Sequence, residues 1–255
     1  MRSYVADPAE SPWKRGETEG IAFNGQLLLS GEDGGPEAIR FRFDACPSIY
    51  AHMHLTAQFQ LLLGGTMNFP RNNLMLRPTG IHYTDHNTPY GPFAVGEGHD
   101  VLVLHPRQGG LMTMGNLAAR REINLTGRVL SGMASEVEWI DVPGQEGVRY
   151  KLLIPSVLGP EATILECQPH ALILSPPAPY GRYEVVLEGS MVAESRLVGA
   201  PGFRYVESEE RPTPIQAGPD GATVIFLSFD NNALEGGLTG EGIAVAAAEA
   251  MASAI

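Results

Sequence analysis

The sequence predicts an all-β chain made of two tandem β-barrel units, and three observations support this prediction. The chain has 30 glycines and 20 prolines among 255 residues, and such a turn-rich composition favours many short strands over a helical bundle. Its apolar residues occur mostly in short runs rather than at helical spacing. The first half of the chain is also partly repeated in the second half.

The repeat begins with a shared tetrapeptide. Gly-Pro-Glu-Ala stands at 35–38 and again at 159–162, a displacement of 124 residues. Further identities at the same displacement are Ile49 with Ile173, Leu63 with Leu187, Gly65 with Gly189, and Met67 with Met191. A displacement of 122 then pairs Tyr83 with Tyr205, as expected if one loop is two residues shorter. The two halves therefore look like an internal duplication.

Short apolar runs between turn residues predict the strands of each unit. In the first unit they are Gln26–Leu29, Ile39–Phe43, Gln58–Leu63, Gly80–Thr84 and Val101–Leu104. In the second unit they are Tyr150–Ile154, Thr163–Cys167, Tyr183–Leu187 and Thr223–Phe229. Helix is expected only at Asn116–Glu122 in the connection and at the alanine-rich end, Gly242–Ala254. We place the first domain at 1–130 and the second, with the terminal helix, at 131–255.

Charge and composition exclude several classes of partner. The formal net charge is −12, with 17 basic and 29 acidic residues. Nucleic acid and anionic membranes bind clustered Lys and Arg, so we expect neither as a partner. The N-terminal stretch has no apolar signal core, and no apolar run reaches the ~20 residues of a membrane span. With only Cys46 and Cys167 as thiols, the chain fits a reducing compartment, and we expect a cytoplasmic protein.

The most informative local pattern is His52-Met53-His54, with Gln58 and Gln60 shortly after it. Alternate side chains of a strand share one face, so both imidazoles would point into a barrel and could hold a divalent metal. A hairpin to the next strand would bring Gln58 beside them. The alternative is that the two histidines are merely surface or hydrogen-bonded residues. The second unit has Pro176, Ala178 and Arg182 at the matching positions, which favours a local function in the first unit.

The spacing His52-x-His54-x3-Gln58-x6-Gly65 resembles the first motif of the cupin superfamily. The family usually has Glu where this chain has Gln58, and Gly where it has Cys46. Two such units in tandem resemble a bicupin. The resemblance covers about Gly20 to Asp230 and implies two jelly-roll barrels, with a metal site inside the first and a degenerate second barrel.

The second cupin motif is less well matched. Its turn aligns best with Asp85 to Tyr90, which places Tyr90 where the family has its last histidine ligand. His82, on a predicted strand, is the preferred third imidazole, and His86 in the following turn is the alternative. His82 could instead be a buried partner of another side chain, and His86 a solvated turn residue. Tyr90 and Gln60 are the candidate catalytic residues beside the metal.

Several other polar residues receive structural interpretations. Tyr83 has an equivalent in Tyr205 and is expected in the core. The aromatic set of the Arg40–Phe43 alternation is expected to face inward. Glu97, His99 and Asp100 are expected to be solvated in a turn, and His105 has no assigned role. In the second unit Arg182, Glu184 and Arg204 show no spacing typical of metal ligands.

A site of imidazoles and a carboxamide adds no negative charge, so a bound Fe, Mn, Ni or Zn ion would attract an anionic, chelating ligand. The main hypothesis is a metal-dependent enzyme acting on a small anionic organic molecule, with dioxygenase chemistry first and isomerase or lyase chemistry next. The alternative hypotheses are a non-catalytic ligand-binding or sensor bicupin, and a metal-free cavity. A homodimer is compatible with the resemblance.

Overall fold

The computed structural model describes residues 4–18, 20–113, 127–208, 210 and 212–233. The strands up to residue 133 are β1 (Tyr4–Ala6), β2 (Lys14–Thr18), β3 (Ile21–Ser30), β4 (Glu37–Phe43), β5 (Cys46–Ile49), β6 (His52–His54), β7 (Gln58–Gly64), β8 (Met67–Phe69), β9 (Leu74–Leu76), β10 (Gly80–Thr84), β11 (Phe93–Val95), β12 (Asp100–His105), β13 (Leu111–Thr113) and β14 (Val129–Met133). The later strands are β15 (Ile140–Asp141), β16 (Val148–Ile154), β17 (Glu161–Cys167), β18 (Leu172–Ile173), β19 (Arg182–Ala193), β20 (Arg196–Gly199), β21 (Phe203–Val206) and β22 (Ile215–Ser228).

Helical structure in the described residues is confined to single 3-10 turns. They lie at Pro8–Glu10, Glu32–Gly34, Pro70–Asn72, Ala134–Glu136, Ser156–Leu158 and Asn231–Ala233. None of the helices in this part of the chain is long and apolar enough to cross a membrane. The all-β prediction is therefore confirmed, while the two expected helices, at 116–122 and 242–254, lie outside the described residues.

The predicted strands coincide with or overlap observed strands, because the apolar runs that predicted them form the sheet interiors. Gly80–Thr84 has the predicted bounds, whereas the last two predicted strands, Tyr183–Leu187 and Thr223–Phe229, belong to longer observed strands. β19 runs for 12 residues and β22 for 14. The first part of β19 pairs with β21 and its last part pairs with β20.

Two compact units make up the described chain. Residues 12–133 form the N-terminal unit together with 232 and 233, and residues 134–231 form the C-terminal unit. The C-terminal unit also includes β1, whose Tyr4 pairs with Tyr205 of β21. In the division predicted from the sequence, this first strand belongs to the domain 1–130.

The N-terminal unit contains three sheets. A seven-stranded sheet has the order β14-β10-β7-β12-β4-β3-β2, a four-stranded sheet has the order β5-β11-β8-β9, and β6 pairs with β13. Apolar side chains from the two larger sheets, including Leu62, Val103 and Phe93, form one buried cluster. The expected hairpin between β6 and β7 is wrong, since β6 pairs with β13 instead.

The C-terminal unit repeats this strand order. Its main sheet runs β1-β21-β19-β22-β17-β16-β15, so β21-β19-β22-β17 corresponds to β10-β7-β12-β4 of the first unit. This agreement supports the predicted duplication. In the described residues the outermost strands of each large sheet are not paired with each other, so the sheets are open.

The inner polar positions of the second unit form a buried ion network. Glu184 bonds the guanidinium groups of Arg182 and Arg204, at 2.9 and 2.7 Å, and all three side chains are buried. The displacements of 124 and 122 residues align Arg182 with Gln58, Glu184 with Gln60, and Arg204 with His82. At these positions the second unit therefore has charged side chains that largely compensate one another, whereas the first unit has neutral polar side chains.

We predict that Glu184→Gln will destabilise the C-terminal unit by about 3 kcal/mol or more, because the buried Arg182 would lose its paired carboxylate and Arg204 would retain only Glu194. Glu166→Gln is the matched control, since Glu166 pairs with Arg149 at the surface and such pairs contribute only ~1 kcal/mol or less. Urea unfolding of both variants measures the difference. Equal losses would contradict the role given to the network.

Candidate metal and ligand site

The N-terminal unit encloses a cavity of about 160 Å³. Most of its wall is apolar and comes from both large sheets. The apolar residues lining it are Ile21, Phe23, Ile39, Phe41, Phe43, Ile49, Met67, Phe93, Val101 and Val103. Polar side chains enter the wall mainly in one group, from β6, β7 and the segment before β11. Such a cavity accommodates a ligand with a mainly apolar body and a few polar groups.

The polar group is centred on the hydroxyl of Tyr90. His52 Nε2 lies 2.6 Å from this oxygen and His54 Nε2 lies 3.4 Å from it. Gln60 donates an amide N–H to the same oxygen at 2.9 Å. Tyr90 is positioned by an isolated bridge to β6, in which the backbones of His52 and Tyr90 exchange hydrogen bonds.

The hydrogen bonds around Tyr90 have a consistent direction. His52 Nδ1 lies 2.9 Å from the Tyr50 carbonyl, so Nδ1 carries the proton and Nε2 is the acceptor of the neutral ring. Tyr90 therefore donates its O–H to His52 Nε2. On the other side, His82 Nδ1 lies 3.0 Å from Gln60 Oε1 and donates to it. The order from donor to acceptor is His82, Gln60, Tyr90 and His52.

The candidate ligands differ in how they reach this group. His52 and His54 line the cavity, while His82 is stacked on Phe69 behind Gln60, with ring centroids 4.6 Å apart. Gln58 donates to Thr84 at 3.1 Å, and its Oε1 is buried with no hydrogen-bond partner in the described residues. His86 bonds the Asn232 carbonyl at 3.0 Å and does not line the cavity.

Burial keeps the imidazoles neutral. Desolvation lowers the pKa of His52 to about 4 and that of His82 to about 3. The pKa of His54 is also well below its ordinary value, because the ring is buried and its neighbours His105 and His52 would repel a second charge. Desolvation raises the pKa of Tyr90 above its ordinary value, against the opposing effect of the Gln58 and Gln60 amides. Neutral imidazole is the form that binds a metal ion.

A second buried pair, Glu37 and His105, lines the cavity beside His54 and was missed in the sequence analysis. The His54 and His105 ring centroids are 5.0 Å apart, and His105 Nε2 lies 4.0 Å from Glu37 Oε2. Gly109 donates its N–H to Glu37 at 2.8 Å. A Cβ on Gly109 would lie 2.5 Å from His105 Nε2, so this position has no room for a side chain. The alternation of side chains along β12 could have identified His105, since His105 follows Val101 and Val103 on the same face of this strand.

The turn before β12 is not solvated as expected. Asp100 is largely buried and accepts from Arg40 and Arg42, at 2.7 and 2.8 Å. His99 is 1% exposed and lines the cavity. Glu97 is exposed, as expected. The alternation of Arg40–Phe43 is confirmed, because Phe41 and Phe43 line the cavity while the arginines bond Asp100.

These residues could bind a divalent metal only through donors of different kinds, imidazole nitrogen together with amide or phenol oxygen. Among the described residues, no group of three or more His, Cys, Asp or Glu side chains has the spacing of a metal site. Two neutral imidazoles nevertheless converge on one point, and the unpartnered Gln58 Oε1 is buried. Imidazole nitrogen together with amide or phenol oxygen is a donor combination that borderline divalent metals accept. His52 also has the carbonyl partner that commonly orients a metal-binding histidine.

Comparison with solved structures establishes the fold. A candidate dioxygenase from Nostoc punctiforme superposes with a TM-score of 0.66 at 15% identity, over 93% of this chain and 86% of that chain. Oxalate decarboxylase from Bacillus subtilis gives 0.62 at 10% identity, over 89% and 76%. A bacterial pirin from Escherichia coli, in complex with nickel(II), gives 0.57 at 9% identity, over 90% and 99%.

The chain therefore has the jelly-roll fold of the cupins, and the fold class predicted from its motif is confirmed. No protein-family model and no curated protein matches the sequence. Another structure of the Bacillus subtilis decarboxylase concerns its Mn(II) centres. At these low identities the similarities establish a shared fold, and the chemistry of this chain has to be argued from its own residues.

Glu37 gives a testable pH dependence. Burial raises its pKa from 4.5 to about 7, so folding favours the protonated carboxyl, and stability is lost as pH rises from 4.5 through 7. Glu37→Gln removes this titration and keeps an acceptor for Gly109. We expect the variant to gain on the order of 2 kcal/mol relative to the wild type between pH 4.5 and 8, measured by urea unfolding. Parallel pH profiles for the two proteins would contradict the burial of an ionisable carboxyl.

Proposed function

We propose that the N-terminal unit holds a divalent metal and acts as a metal-dependent enzyme on a small organic acid, with dioxygenase-like chemistry as the leading variant. The observation that carries the proposal is the convergence of His52 Nε2 and His54 Nε2 on the Tyr90 hydroxyl, at the polar end of an apolar cavity. Both nitrogens belong to neutral rings. A Fe, Mn, Ni or Zn ion is compatible with these donors.

The proposed ligands are His52, His54 and Gln58, with His82 as the third imidazole. Gln58 supplies a buried oxygen that has no hydrogen-bond partner in the described chain. His82 is preferred over His86, because it joins the Tyr90 group through Gln60. His86 instead bonds the Asn232 carbonyl. For His82 to bind directly, its side chain would have to move relative to Gln60.

A metal held by these neutral groups would retain its positive charge and polarise an acidic substrate group. The apolar wall formed by Phe41, Phe93 and Val103 would surround the rest of the molecule. Tyr90 would hold a proton at its hydroxyl, since its pKa is raised by burial. Gln60 would orient that hydroxyl by donating to its oxygen. Tyr90 and Gln60 are therefore the proposed catalytic residues.

One observation favours a second function. The Tyr90 hydroxyl already satisfies His52 Nε2, and the Gln60 amide bridges Tyr90 and His82, so the polar group is well paired without a metal. A non-catalytic ligand-binding protein of the same fold would have these properties. Such a protein would bind an organic acid and release it unchanged, whereas an enzyme would convert it.

The first test is metal content. Protein purified without a histidine tag and reconstituted with Fe(II), Mn(II), Ni(II) or Zn(II) is expected to hold about one ion per chain, because the buried imidazoles are neutral and can donate to a metal. The His52→Ala/His54→Ala double variant is expected to retain less than about a tenth of that amount. Elemental analysis measures both. His170→Ala, which removes an exposed histidine of the C-terminal unit, is the matched control.

The third ligand is tested separately. We expect His82→Ala to weaken metal binding about 10- to 100-fold, and His86→Ala to leave it unchanged. Competition with a chelator measures the affinity. Metal content that is substoichiometric and indifferent to the double substitution would exclude the metalloenzyme and leave the binding protein. Oxygen consumption with the iron-loaded chain then distinguishes dioxygenase chemistry from isomerase or lyase chemistry.

A further inference from the structure

His99 lies at the end of the cavity away from His105. Residues 101, 103 and 105 line the cavity because alternate residues of β12 share a face, and His99, directly before this strand, lines it as well. At about 3.3 Å per residue, the Cα atoms of His99 and His105 are roughly 20 Å apart. The wall between them is formed by Val101 and Val103, with Phe41 on the neighbouring strand. The cavity is therefore elongated, with an imidazole at each end of this row.

The backbone around His99 is fixed by two neighbours. Asp100 is held by Arg40 and Arg42, which are positioned opposite the cavity-lining Phe41 and Phe43. Gly65 has φ +67°, and a Cβ there would lie 2.6 Å from the His99 nitrogen and 2.7 Å from its Cα. The absence of a side chain at Gly65 thus allows the turn after β7 to approach the His99 backbone closely.

The His99 ring is buried without hydrogen bonds. It is 1% exposed, and neither Nδ1 nor Nε2 has a hydrogen-bond partner in the described part of the chain. Its ring neighbour is Phe43, with centroids 5.6 Å apart. Burying an imidazole in this way is unfavourable unless a bound molecule supplies the missing partner. A neutral imidazole offers one donor and one acceptor, and a hydroxyl group can use either.

We propose that the cavity binds an elongated organic acid with an apolar middle, and that His99 recognises a hydroxyl group at the end of the molecule far from the acid. The placement of the acid group beside His52, His54 and Tyr90 rests on the proposed function. The recognition by His99 depends only on the cavity and the unpartnered ring. His99 is in this view a specificity-determining residue, separate from the groups around Tyr90.

The test compares straight-chain carboxylic acids of eight, ten and twelve carbons with their ω-hydroxy counterparts. Isothermal titration of the full-length, metal-loaded chain gives the ratio of the two dissociation constants at each length. The acid group is common to each pair, so its contribution cancels in the ratio. We expect the hydroxy acid to bind about tenfold more tightly at the length that spans the cavity. A buried hydrogen bond commonly has an effect of this order.

His99→Phe should bring that ratio to about one, whereas His99→Gln, which retains a donor and an acceptor, should keep part of the preference. His170→Asn is the control outside the cavity, because asparagine tolerates the positive φ of 62° at this exposed position, and it should keep all of the preference. The His52→Ala/His54→Ala variant should weaken both acids equally and preserve the ratio, which separates failure at the metal site from failure at His99. The inference is overturned if neither acid binds, if no length favours the hydroxy acid, or if His99→Phe keeps the preference.

Discussion

The interior of the N-terminal unit depends on the hydrogen bonds made by the Tyr90 hydroxyl. A polar group inside a β-sandwich must be hydrogen-bonded or it destabilises the fold. Here one oxygen accepts from Gln60 and donates to His52, so residues from β6, β7 and the segment before β11 are joined at a single atom. The same contact orients His52 with its accepting nitrogen toward the cavity. The arrangement that stabilises the interior is thus also the one that prepares a candidate metal site.

The two units meet this constraint in different ways. In the C-terminal unit, Glu184 bridges Arg182 and Arg204, and Glu194 also pairs with Arg204, so two carboxylates balance two guanidinium groups. In the N-terminal unit the equivalent positions carry Gln58, Gln60 and His82, which are neutral and leave one amide oxygen without a partner. A closed ion network suits a structural interior. A neutral group with unused hydrogen-bonding capacity suits a site that binds something else.

Every strand predicted from the sequence coincides with or overlaps an observed one, and the central pair of imidazoles was also identified, because both are local patterns. The alternation of side chains along a strand predicted that His52 and His54 lie on the same face. The repeat spacing aligned them with Pro176 and Ala178 of the second unit, where no histidine stands. Sequence reasoning failed where contacts are non-local. The turn containing His99 looks polar along the chain, but the approach of Gly65 and the arginine pairing of Asp100 bury the ring. Similarly, Glu37 joins the cavity through Gly109 and His105, which lie far away in sequence.

The sequence by itself determined the all-β class, the positions of the predicted strands and the candidate pair His52 and His54, because period-two alternation and apolar runs depend on neighbours along the chain. Tertiary structure decided which polar residues share the cavity. It paired β6 with β13 rather than β7, and it placed Tyr90 between the two histidines and His82 behind Gln60. The physical reason is that hydrogen-bond partners inside a sandwich are set by sheet pairing and packing between distant segments, and no local periodicity encodes that pairing.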